Sequence, residues 1–230
     1  ISGFGKDFKL SFNLNIEDAN IAIIGLGYVG LPLAIEFGKK FKVVGFDISD
    51  KRVSELNSCL DSTFQLTSKE ISEAKLCKFT TQDNELRDCN IFIVTVPTPV
   101  DKNKNPDISA LKRACHIVGD HIKVGDLVIF ESTVFPGATE EICVPKISLR
   151  SELTYNKDFY VGYSPERINP GDAQRNISSI VKVISGCNSK CTDFMEILYN
   201  SIISAGTFRA SSIKVAEAAK VIENTQRDVN

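Results

Sequence analysis

Short apolar segments, separated by polar stretches that contain Gly and Pro, recur along the whole chain and predict the strands of a sheet. The predicted strands are residues 21–24, 42–46, 76–80, 90–96, 126–131, 159–163, 181–185 and 207–209. Between them lie segments that predict helices, at about 31–37, 49–56, 107–121, 137–146, 188–201 and 212–230. Strands that alternate with helices through short connections indicate an α/β fold with a doubly wound, mainly parallel sheet.

The first predicted strand leads into a glycine-rich turn. The turn carries a G-x-G-x-x-G motif, which consists of Gly25, Leu26, Gly27, Tyr28, Val29 and Gly30. In a dinucleotide-binding turn the first glycine permits the sharp bend, the second lets the backbone approach a pyrophosphate, and the third lets helix and strand pack closely. The N-terminus of the following helix faces the phosphate charge. This strand–turn–helix frame predicts a Rossmann-like domain that binds a dinucleotide.

The motif also requires an acidic residue about twenty residues further on, at the end of the second strand, to bind the ribose hydroxyls. Asp47 follows strand 42–46 and meets this requirement. Arg52, one turn into the next helix, reaches the same edge of the cofactor and raises the alternative of NADP. Because Asp47 would repel a 2'-phosphate, we expect NAD. An ordinary strand–turn–helix followed by a chance acid is the remaining interpretation of the whole pattern.

The composition narrows the classes of function. The chain has 230 residues, of which 43% are apolar and 24% are charged, as in ordinary globular proteins. The net charge is -2 and no long basic run occurs, so neither nucleic acid nor an anionic membrane is an expected partner. No apolar run approaches the length of a membrane span.

The chain divides into three predicted parts. Residues 1–19 lack the features of a signal peptide and are expected to form a leader that is partly ordered through its phenylalanines. Residues 20–210 are expected to form the NAD-binding domain. Residues 211–230 contain neither Gly nor Pro nor a stop signal, so we expect them to begin a longer helix that leads to a further region.

The 7 cysteines are scattered along the chain. Cys187 and Cys191 form the only close pair, and neither a second pair nor a nearby His completes a tetrahedral metal site. We therefore expect no metal and no disulfide framework, but reduced, buried thiols in a cytoplasmic protein.

Hydroxyl and carboxyl groups follow three of the predicted strands, at Thr98, at Ser132 with Thr133, and at Glu166. The carboxyl ends of parallel strands meet at one edge of a sheet, so these side chains are expected to converge on the crevice that holds the nicotinamide. The alternative for each hydroxyl is a helix cap or a turn. Glu166 lies on a loop stiffened by proline, and a plain surface turn is its alternative.

Lys220 and Asn224 lie on one face of the last predicted helix, because residues four apart in a helix are neighbours. An ammonium and an amide on one face could stabilise a developing oxyanion by aiming donors at it. The alternative is that Lys220 pairs with Glu217 or Glu223 at helical spacing, and the spacing by itself favours that interpretation.

With these motifs in order, the chain resembles the N-terminal domain of the UDP-glucose/GDP-mannose dehydrogenase family. The matching motifs are IAIIGLGYVGLPLA, the aspartate with Arg52, VPTP followed by NPDIS, ESTVFPG, YSPERINPGD and AEAAKVIENTQRDVN. Within the family the likeness is greatest to bacterial UDP-N-acetyl-D-glucosamine 6-dehydrogenases of surface-polysaccharide synthesis. SPERINPGD and ENTQRDVN together point to an N-acetylhexosamine rather than to UDP-glucose.

The resemblance implies a four-electron oxidation, in which the C6 alcohol of the UDP-sugar becomes a carboxylate and two NAD+ are reduced. In the family, a cysteine forms a thiohemiacetal and then a thioester, which water hydrolyses. The family dimerises around its long central helix, so a homodimer is implied for the full-length form.

The resemblance also implies roles for particular residues. It places Gly25 to Gly30, Asp47, Arg52, Thr98, Ser132 and Thr133 against NAD. It implies that Glu166 acts with Thr133 on water, as the general base of the hydrolysis. It assigns oxyanion stabilisation to Lys220 and Asn224, with a further role for Lys220 in the first deprotonation. It assigns sugar binding to Glu166, Arg167, Ile168, Asn169, Lys220 and Asn224.

Two departures from the family pattern matter. The UDP-glucose enzymes carry a second glutamate shortly after the one that matches Glu166, and Pro170 stands there in this chain. No second carboxylate is therefore assigned. The nucleophilic cysteine of the family belongs to a domain beyond the helix, and none of the cysteines here lies in its motif. The chain as given is therefore expected to bind NAD without turnover.

Several alternatives stay open at this point. The same chemistry could act on UDP-N-acetylmannosamine, UDP-glucose or GDP-mannose. A two-electron hydroxyacid dehydrogenase would release one NADH for each substrate rather than two. From a different class, the chain could be a non-catalytic NAD-binding module that regulates a partner.

Overall fold

The computed structural model describes residues 12–100, 102–103, 105–166 and 177–229. Within these residues, 8 strands form one sheet in the order β3-β2-β1-β4-β5-β6-β7-β8. The strands are β1 Asn20–Ile24, β2 Lys42–Phe46, β3 Cys77–Thr80, β4 Ile91–Val94, β5 Leu127–Phe130, β6 Tyr160–Tyr163, β7 Lys182–Gly186 and β8 Thr207–Arg209. All of them fall on strands that the apolar pattern predicts.

The order of the strands reverses direction at β1, which lies between β2 and β4. Neighbouring strands are parallel except for β6 and β7, which are antiparallel with Tyr163 opposite Ser185. This is the predicted doubly wound, mainly parallel sheet, and the prediction of the fold class is confirmed. Because β7 runs against β6, its first residue, Lys182, lies at the same edge of the sheet as the carboxyl ends of the parallel strands.

The helices lie on both faces of the sheet. They are α1 Gly30–Gly38, α2 Asp50–Asn57, α3 Ser68–Glu73, α4 Ser109–His121, α5 Val144–Ser151, α6 Ser189–Asn200 and α7 Ile213–Val229. Ser49 caps α2 by accepting a hydrogen bond from the amide of Arg52, and Asn188 caps α6 in the same way through the amide of Cys191. A π-helical turn, Thr139–Cys143, precedes α5, which runs on past its predicted end near Lys146.

Alternate residues of the central strands face opposite sides of the sheet and build a core on each. Ile21 and Ile23 of β1 are fully buried on the side of α1 and α6, where they join Phe37 and Tyr199. Ala22 of β1 faces the other side, which is covered by α4, α5 and α7. Strands that are buried on both faces read as continuous apolar runs, and this explains why the sequence pattern located them so well.

Phe12, which belongs to the predicted leader, packs into the first of these cores. Its ring meets Tyr160 at 4.8 Å and Phe194 at 5.4 Å between centroids, both edge-on. The other phenylalanines of the predicted leader, Phe4 and Phe8, lie outside the described residues.

The cysteines are all free thiols, of which Cys89, Cys115, Cys143 and Cys191 are buried and Cys59, Cys77 and Cys187 are half-buried. None of the helices in the described part of the chain has the length and apolar character needed to cross a membrane.

Asp126 lies immediately before β5 and is buried, with its carboxylate accepting a hydrogen bond from the amide of Lys123 at 2.7 Å. Burial raises the pKa of Asp126 to about 7, against the opposing effects of that hydrogen bond and of the Lys123 charge. The folded protein therefore holds this proton more tightly than the unfolded chain does. The resulting stability is complete below the unfolded pKa and is lost as the pH rises through 7.

We expect Asp126→Asn, which keeps an acceptor but cannot ionise, to raise the free energy of unfolding at pH 8 by roughly 1–3 kcal/mol. At pH 4 the difference from the parent should be much smaller. Urea unfolding of both proteins at the two pH values measures the effect. An equal difference at both pH values would show that burial of the charged form is not its cause.

Candidate functional site

The glycine turn between β1 and α1 is packed against the end of β4. Gly25 has a φ of +96°, which favours glycine, and its amide donates to the carbonyl of Phe46 at 2.8 Å. The hydroxyl of Thr95 donates to the carbonyl of Gly25 at 2.7 Å. A Cβ added at Gly30 would overlap both Gly25 O and Thr95 Oγ1. The backbone of the turn therefore requires the first and third glycines for its own packing.

Gly27 differs from these two glycines. A Cβ added there would meet nothing within 4 Å, so the protein itself does not exclude a side chain. Gly27 lies at the entry to α1, whose N-cap residue, Val29, makes no side-chain capping hydrogen bond. The space above the turn and the first amides of α1 fit an anionic group such as a pyrophosphate.

Two cavities meet at this turn. The larger, of about 440 Å³, is lined by Gly27, Tyr28, Val29, Thr63, Gln65, Thr95, Val96, Pro97, Thr98, Glu131, Ser132, Thr133, Glu166 and Lys220. The smaller, of about 330 Å³, is lined by Ile24, Gly25, Gly27, Phe46, Asp47, Ile48, Thr95, Val96, Pro97, Ala110, Arg113, Ala114 and Ile117. Gly27 and the tip of β4 separate the two cavities, so a molecule with two lobes joined by a pyrophosphate fits across them.

The carboxylate of Asp47 braces the turn from the side of the smaller cavity. Its Oδ2 accepts from the amide of Leu26 at 2.9 Å, and its Oδ1 accepts from the amide of Ser49 at 2.9 Å. Asp47 also lines the smaller cavity, where the predicted ribose contact would be made.

Arg52 is buried and holds two loops together. Its Nε donates to the carbonyl of Leu26 at 2.8 Å, and its Nη1 pairs with Asp61 at 2.7 Å. Asp61 in turn accepts from the amides of Thr63 and Gln65, so Arg52 links the glycine turn to a loop whose Thr63 and Gln65 line the larger cavity. A direct contact between Arg52 and the cofactor stays a prediction.

The tips of β4 and β5 are joined by two hydrogen bonds. The hydroxyl of Thr98 donates to the carbonyl of Thr133 at 2.5 Å, and the hydroxyl of Ser132 donates to the carbonyl of Val96 at 2.7 Å. The structure thus brings Thr98, Ser132 and Thr133 to one wall of the larger cavity, as the strand-end argument expects. Two of the three hydroxyls, those of Thr98 and Ser132, also fasten the tips to each other.

Glu166 and Lys220 meet in the same cavity, although they come from different elements. Both are buried, and the ammonium of Lys220 donates to the backbone carbonyl of Glu166. Glu166 is therefore not part of a surface turn. Asn224 is half-buried one turn further along α7 and is not among the residues that line the cavity, so its role stays a prediction. Arg167, Ile168 and Asn169 lie outside the described residues.

Glu217, one of the two candidate helical partners of Lys220, binds backbone amides of a different segment. It is fully buried, and its two carboxylate oxygens accept from the amides of Gly137 at 2.5 Å and of Thr139 at 2.9 Å. This carboxylate fastens α7 to the loop that follows Thr133. It therefore holds the helix that carries Lys220 in place against the strand tips.

Two further charged residues belong to the site, Glu131 and Lys182, and neither is predicted from the sequence. Glu131 is buried at the tip of β5, where it accepts from the ammonium of Lys182 at 2.5 Å and from the hydroxyl of Tyr199. Lys182 also lies 3.4 Å from Glu166 Oε2. Burial acts to lower the pKa of Lys182, but the charges of Glu131 and Glu166 outweigh it and raise that pKa. The available signal was a single charged residue at the end of each of two apolar strands: Glu131 directly follows β5, and Lys182 begins β7.

The described part of the chain contains no group of three or more His, Cys, Asp and Glu residues that could hold a metal ion.

The profile of the UDP-glucose/GDP-mannose dehydrogenase family, NAD binding domain, matches residues 19–203. The chain belongs to the UDP-glucose/GDP-mannose dehydrogenase family. The matched part is the NAD-binding domain of this family, and the prediction of NAD as the cofactor is confirmed. The glycine turn, Asp47 and the smaller cavity lie within it, as does the lining of the larger cavity apart from Lys220.

Curated members of this dehydrogenase family are similar to the chain over most of its length. It is 56% identical over 215 residues to UDP-N-acetyl-D-glucosamine 6-dehydrogenase of Pseudomonas aeruginosa, a match that covers 94% of this chain and 51% of that protein. It is 53% identical to the protein of the same name from Salmonella typhi, again over 94% and 51%. The chain therefore spans about half the length of the curated relatives it matches.

Solved structures of the dehydrogenase family show the same fold. UDP-D-ManNAc dehydrogenase from Pyrococcus horikoshii superposes with a TM-score of 0.83 at 35% identity, covering 91% of this chain and 51% of that one.

The packed Gly30 and the open Gly27 predict different effects of the same substitution on stability. Gly30→Ala forces a methyl group into backbone atoms and should lower the free energy of unfolding by about 3 kcal/mol. Gly27→Ala places the same methyl group in open space and should change it by less than about 0.5 kcal/mol. Urea unfolding of both variants measures this, and equal losses would contradict the assignment of separate roles.

Proposed function

We propose that this chain is the NAD-binding half of a nucleotide-sugar 6-dehydrogenase that oxidises the C6 alcohol of UDP-N-acetylglucosamine to a carboxylate, with two NAD+ reduced. The observation that carries the proposal is the larger cavity. It joins the open glycine turn to Thr133, Glu166 and Lys220 in one wall. A hydride acceptor, a base and a cation would thus lie around one substrate carbon.

The residues present fit NAD. The pyrophosphate would lie over Gly27 and the first amides of α1, where the structure leaves room for it. The adenosine end would occupy the smaller cavity beside Asp47, and the nicotinamide end the larger cavity beside Thr98, Ser132 and Thr133. The chemistry that NAD supplies when bound is the acceptance of a hydride.

The remaining steps fall to side chains of this chain and to a nucleophile from outside it. Glu166 would accept a proton from the attacking water, with Thr133 helping to orient that water. Lys220 would direct its ammonium toward the oxyanion that develops on the sugar carbon. None of the cysteines, all of which the structure describes, lines the larger cavity, and this supports a nucleophilic cysteine from a second domain.

The choice of sugar rests on similarity. The two relatives at 53% and 56% identity are named for UDP-N-acetyl-D-glucosamine, whereas the UDP-N-acetyl-D-mannosamine dehydrogenase of Pyrococcus horikoshii is 36% identical. UDP-N-acetylglucosamine is therefore the favoured substrate over UDP-N-acetylmannosamine and UDP-glucose. A role in polysaccharide precursor synthesis, a homodimer and a cytoplasmic location belong to the same proposal.

Binding of the cofactor can be measured on this chain directly. Isothermal titration calorimetry should show binding of NAD and at least about tenfold weaker binding of NADP, because Asp47 would face the extra phosphate. Gly27→Ala should weaken NAD binding at least about tenfold without loss of the fold, since its methyl group would occupy the pyrophosphate position. Equal binding of NAD by the variant would contradict the placement of the pyrophosphate.

Turnover is tested in the protein that carries both this chain and the cysteine-bearing domain. Supplied with UDP-N-acetylglucosamine and NAD, it should produce two NADH for each sugar. Glu166→Gln should lower kcat by about 10²- to 10⁴-fold, the usual contribution of a general base. Glu73→Gln, on the surface helix α3, is the matched control and should leave kcat unchanged.

Four results would overturn parts of this assignment. Undiminished activity of Glu166→Gln would remove Glu166 from the mechanism. Faster turnover of UDP-N-acetylmannosamine or UDP-glucose would change the substrate. Sustained NADH production by this chain alone would contradict the need for a second domain, whereas no activity in the longer protein would favour a non-catalytic NAD-binding module.

A further inference from the structure

Glu131 and Glu166 line the larger cavity, and Lys182 and Tyr199 lie behind them. We call these four buried side chains the buried charge cluster. They come from four different elements: the tips of β5 and β6, the start of β7, and α6. Lys182 is 4% exposed, Glu131 1% and Tyr199 0%, so the ammonium and the carboxylates interact with little screening by water.

The two carboxylates share the ammonium unequally. Lys182 Nζ lies 2.5 Å from Glu131 Oε2 but 3.4 Å from Glu166 Oε2. The other oxygen of Glu131 accepts from the hydroxyl of Tyr199, whose ring centroid lies 5.6 Å from the ammonium. Glu131 and Tyr199 therefore fix the position of the ammonium, and Glu166 receives its charge at a longer distance.

We infer that Lys182 and Glu131 are positioning residues that set the charge state of Glu166. Lys182 keeps the Glu166 carboxylate ionised in the cavity wall, and Glu131 holds the ammonium back so that Glu166 is still able to take a proton. The inference rests on the role of Glu166 in the proposed function.

The role of Lys182 and the role of Glu131 each have a physical reason. An ionised carboxylate buried without a cation is strongly disfavoured and becomes protonated instead, and a protonated Glu166 could not act as a base. A cation in short contact with a carboxylate has the opposite effect, because it lowers the affinity of that carboxylate for a proton. The bond to Glu131 at 2.5 Å keeps the ammonium at 3.4 Å from Glu166, where its effect on the proton affinity of Glu166 is weaker than in a short contact.

Among the residues that the structure describes, charged and titratable groups approach Glu166 from β5, β7, α6 and α7. Lys182 reaches it from β7, Glu131 lies beyond that ammonium at the tip of β5, and Lys220 reaches its backbone carbonyl from α7. Tyr199 of α6 stands behind Glu131. Lys220 is unchanged in every variant below, so the comparison isolates Lys182 and Glu131.

Removing Glu131 alone and removing Glu131 together with Lys182 should shift the titration of Glu166 in opposite directions, and this makes the inference testable. In Glu131→Gln the ammonium is released toward Glu166, and a neighbouring negative charge is lost. Both changes shift the titration of Glu166 to lower pH. In the double variant Glu131→Gln/Lys182→Met the cation is gone while the net charge is kept, and the titration should move to higher pH by about 1 unit or more. A merely structural role would not produce shifts of opposite sign.

The measurement is a pH titration of the side-chain carboxyl ¹³C signals of this chain, labelled at glutamate. The Glu166 signal is identified as the one that Glu166→Gln removes. Lys182→Arg, which keeps the cation, should leave the midpoint near that of the parent. Arg209→Gln is the matched control. Arg209, on the neighbouring strand β8, makes exposed ion pairs with Asp193 and Glu196 of α6, and its loss should leave the midpoint unchanged. Thermal unfolding confirms that each variant is folded.

The same variants in the longer enzyme give a kinetic readout. The acid limb of the pH profile of kcat should move down in Glu131→Gln and up in the double variant. Midpoints that stay in place, or that move in the same direction in both variants, would overturn the inference. If the double variant does not fold, an unmoved midpoint in Glu131→Gln is sufficient to overturn it.

The titration does not depend on activity, so this inference and the proposed function can fail separately. Full activity of Glu166→Gln would reject the catalytic role of Glu166. Opposite titration shifts would still establish that Lys182 and Glu131 control its charge.

Discussion

The contact between the glycine turn and β4 is the constraint on which the rest of this structure depends. Gly30 lies so close to the carbonyl of Gly25 and to Thr95 that no side chain fits between them. This close approach places the start of α1 directly beside the tip of β4. The two cavities lie on either side of this contact and share Gly27 and the tip of β4 in their walls. The tip of β5 lines the larger of them.

Three carboxylates, of which Asp47 is half-buried and Glu217 and Glu131 are buried, hold the elements around the turn together. Asp47 braces the turn through the amide of Leu26, and Glu217 ties α7 to the loop after Thr133 through two amides. Glu131 anchors Lys182 beneath the cavity. A buried carboxylate is stable only where donors satisfy it, so each of these groups forces two separate elements to keep their relative position.

Much of the fold could be predicted from the sequence. The strands of the sheet are buried on both faces, so their apolar runs carry a signal that does not depend on distant contacts. The convergence of Thr98, Thr133 and Glu166 followed from the rule that parallel strands end at one edge. The partners of single charges could not all be predicted in this way: Glu217 bonds the amides of Gly137 and Thr139, which are distant from it in the sequence.

The sequence by itself determined the doubly wound sheet, the glycine turn with Asp47, and the family whose NAD-binding domain this is. These are local patterns, in which a few neighbouring residues decide the backbone. Only the tertiary structure decided that β7 runs antiparallel to β6. That reversal brings Lys182 to the edge where Glu131 and Glu166 end, because it turns the start of β7 toward the carboxyl ends of its neighbours. Strand direction depends on packing across the whole sheet, and no short segment of sequence encodes it.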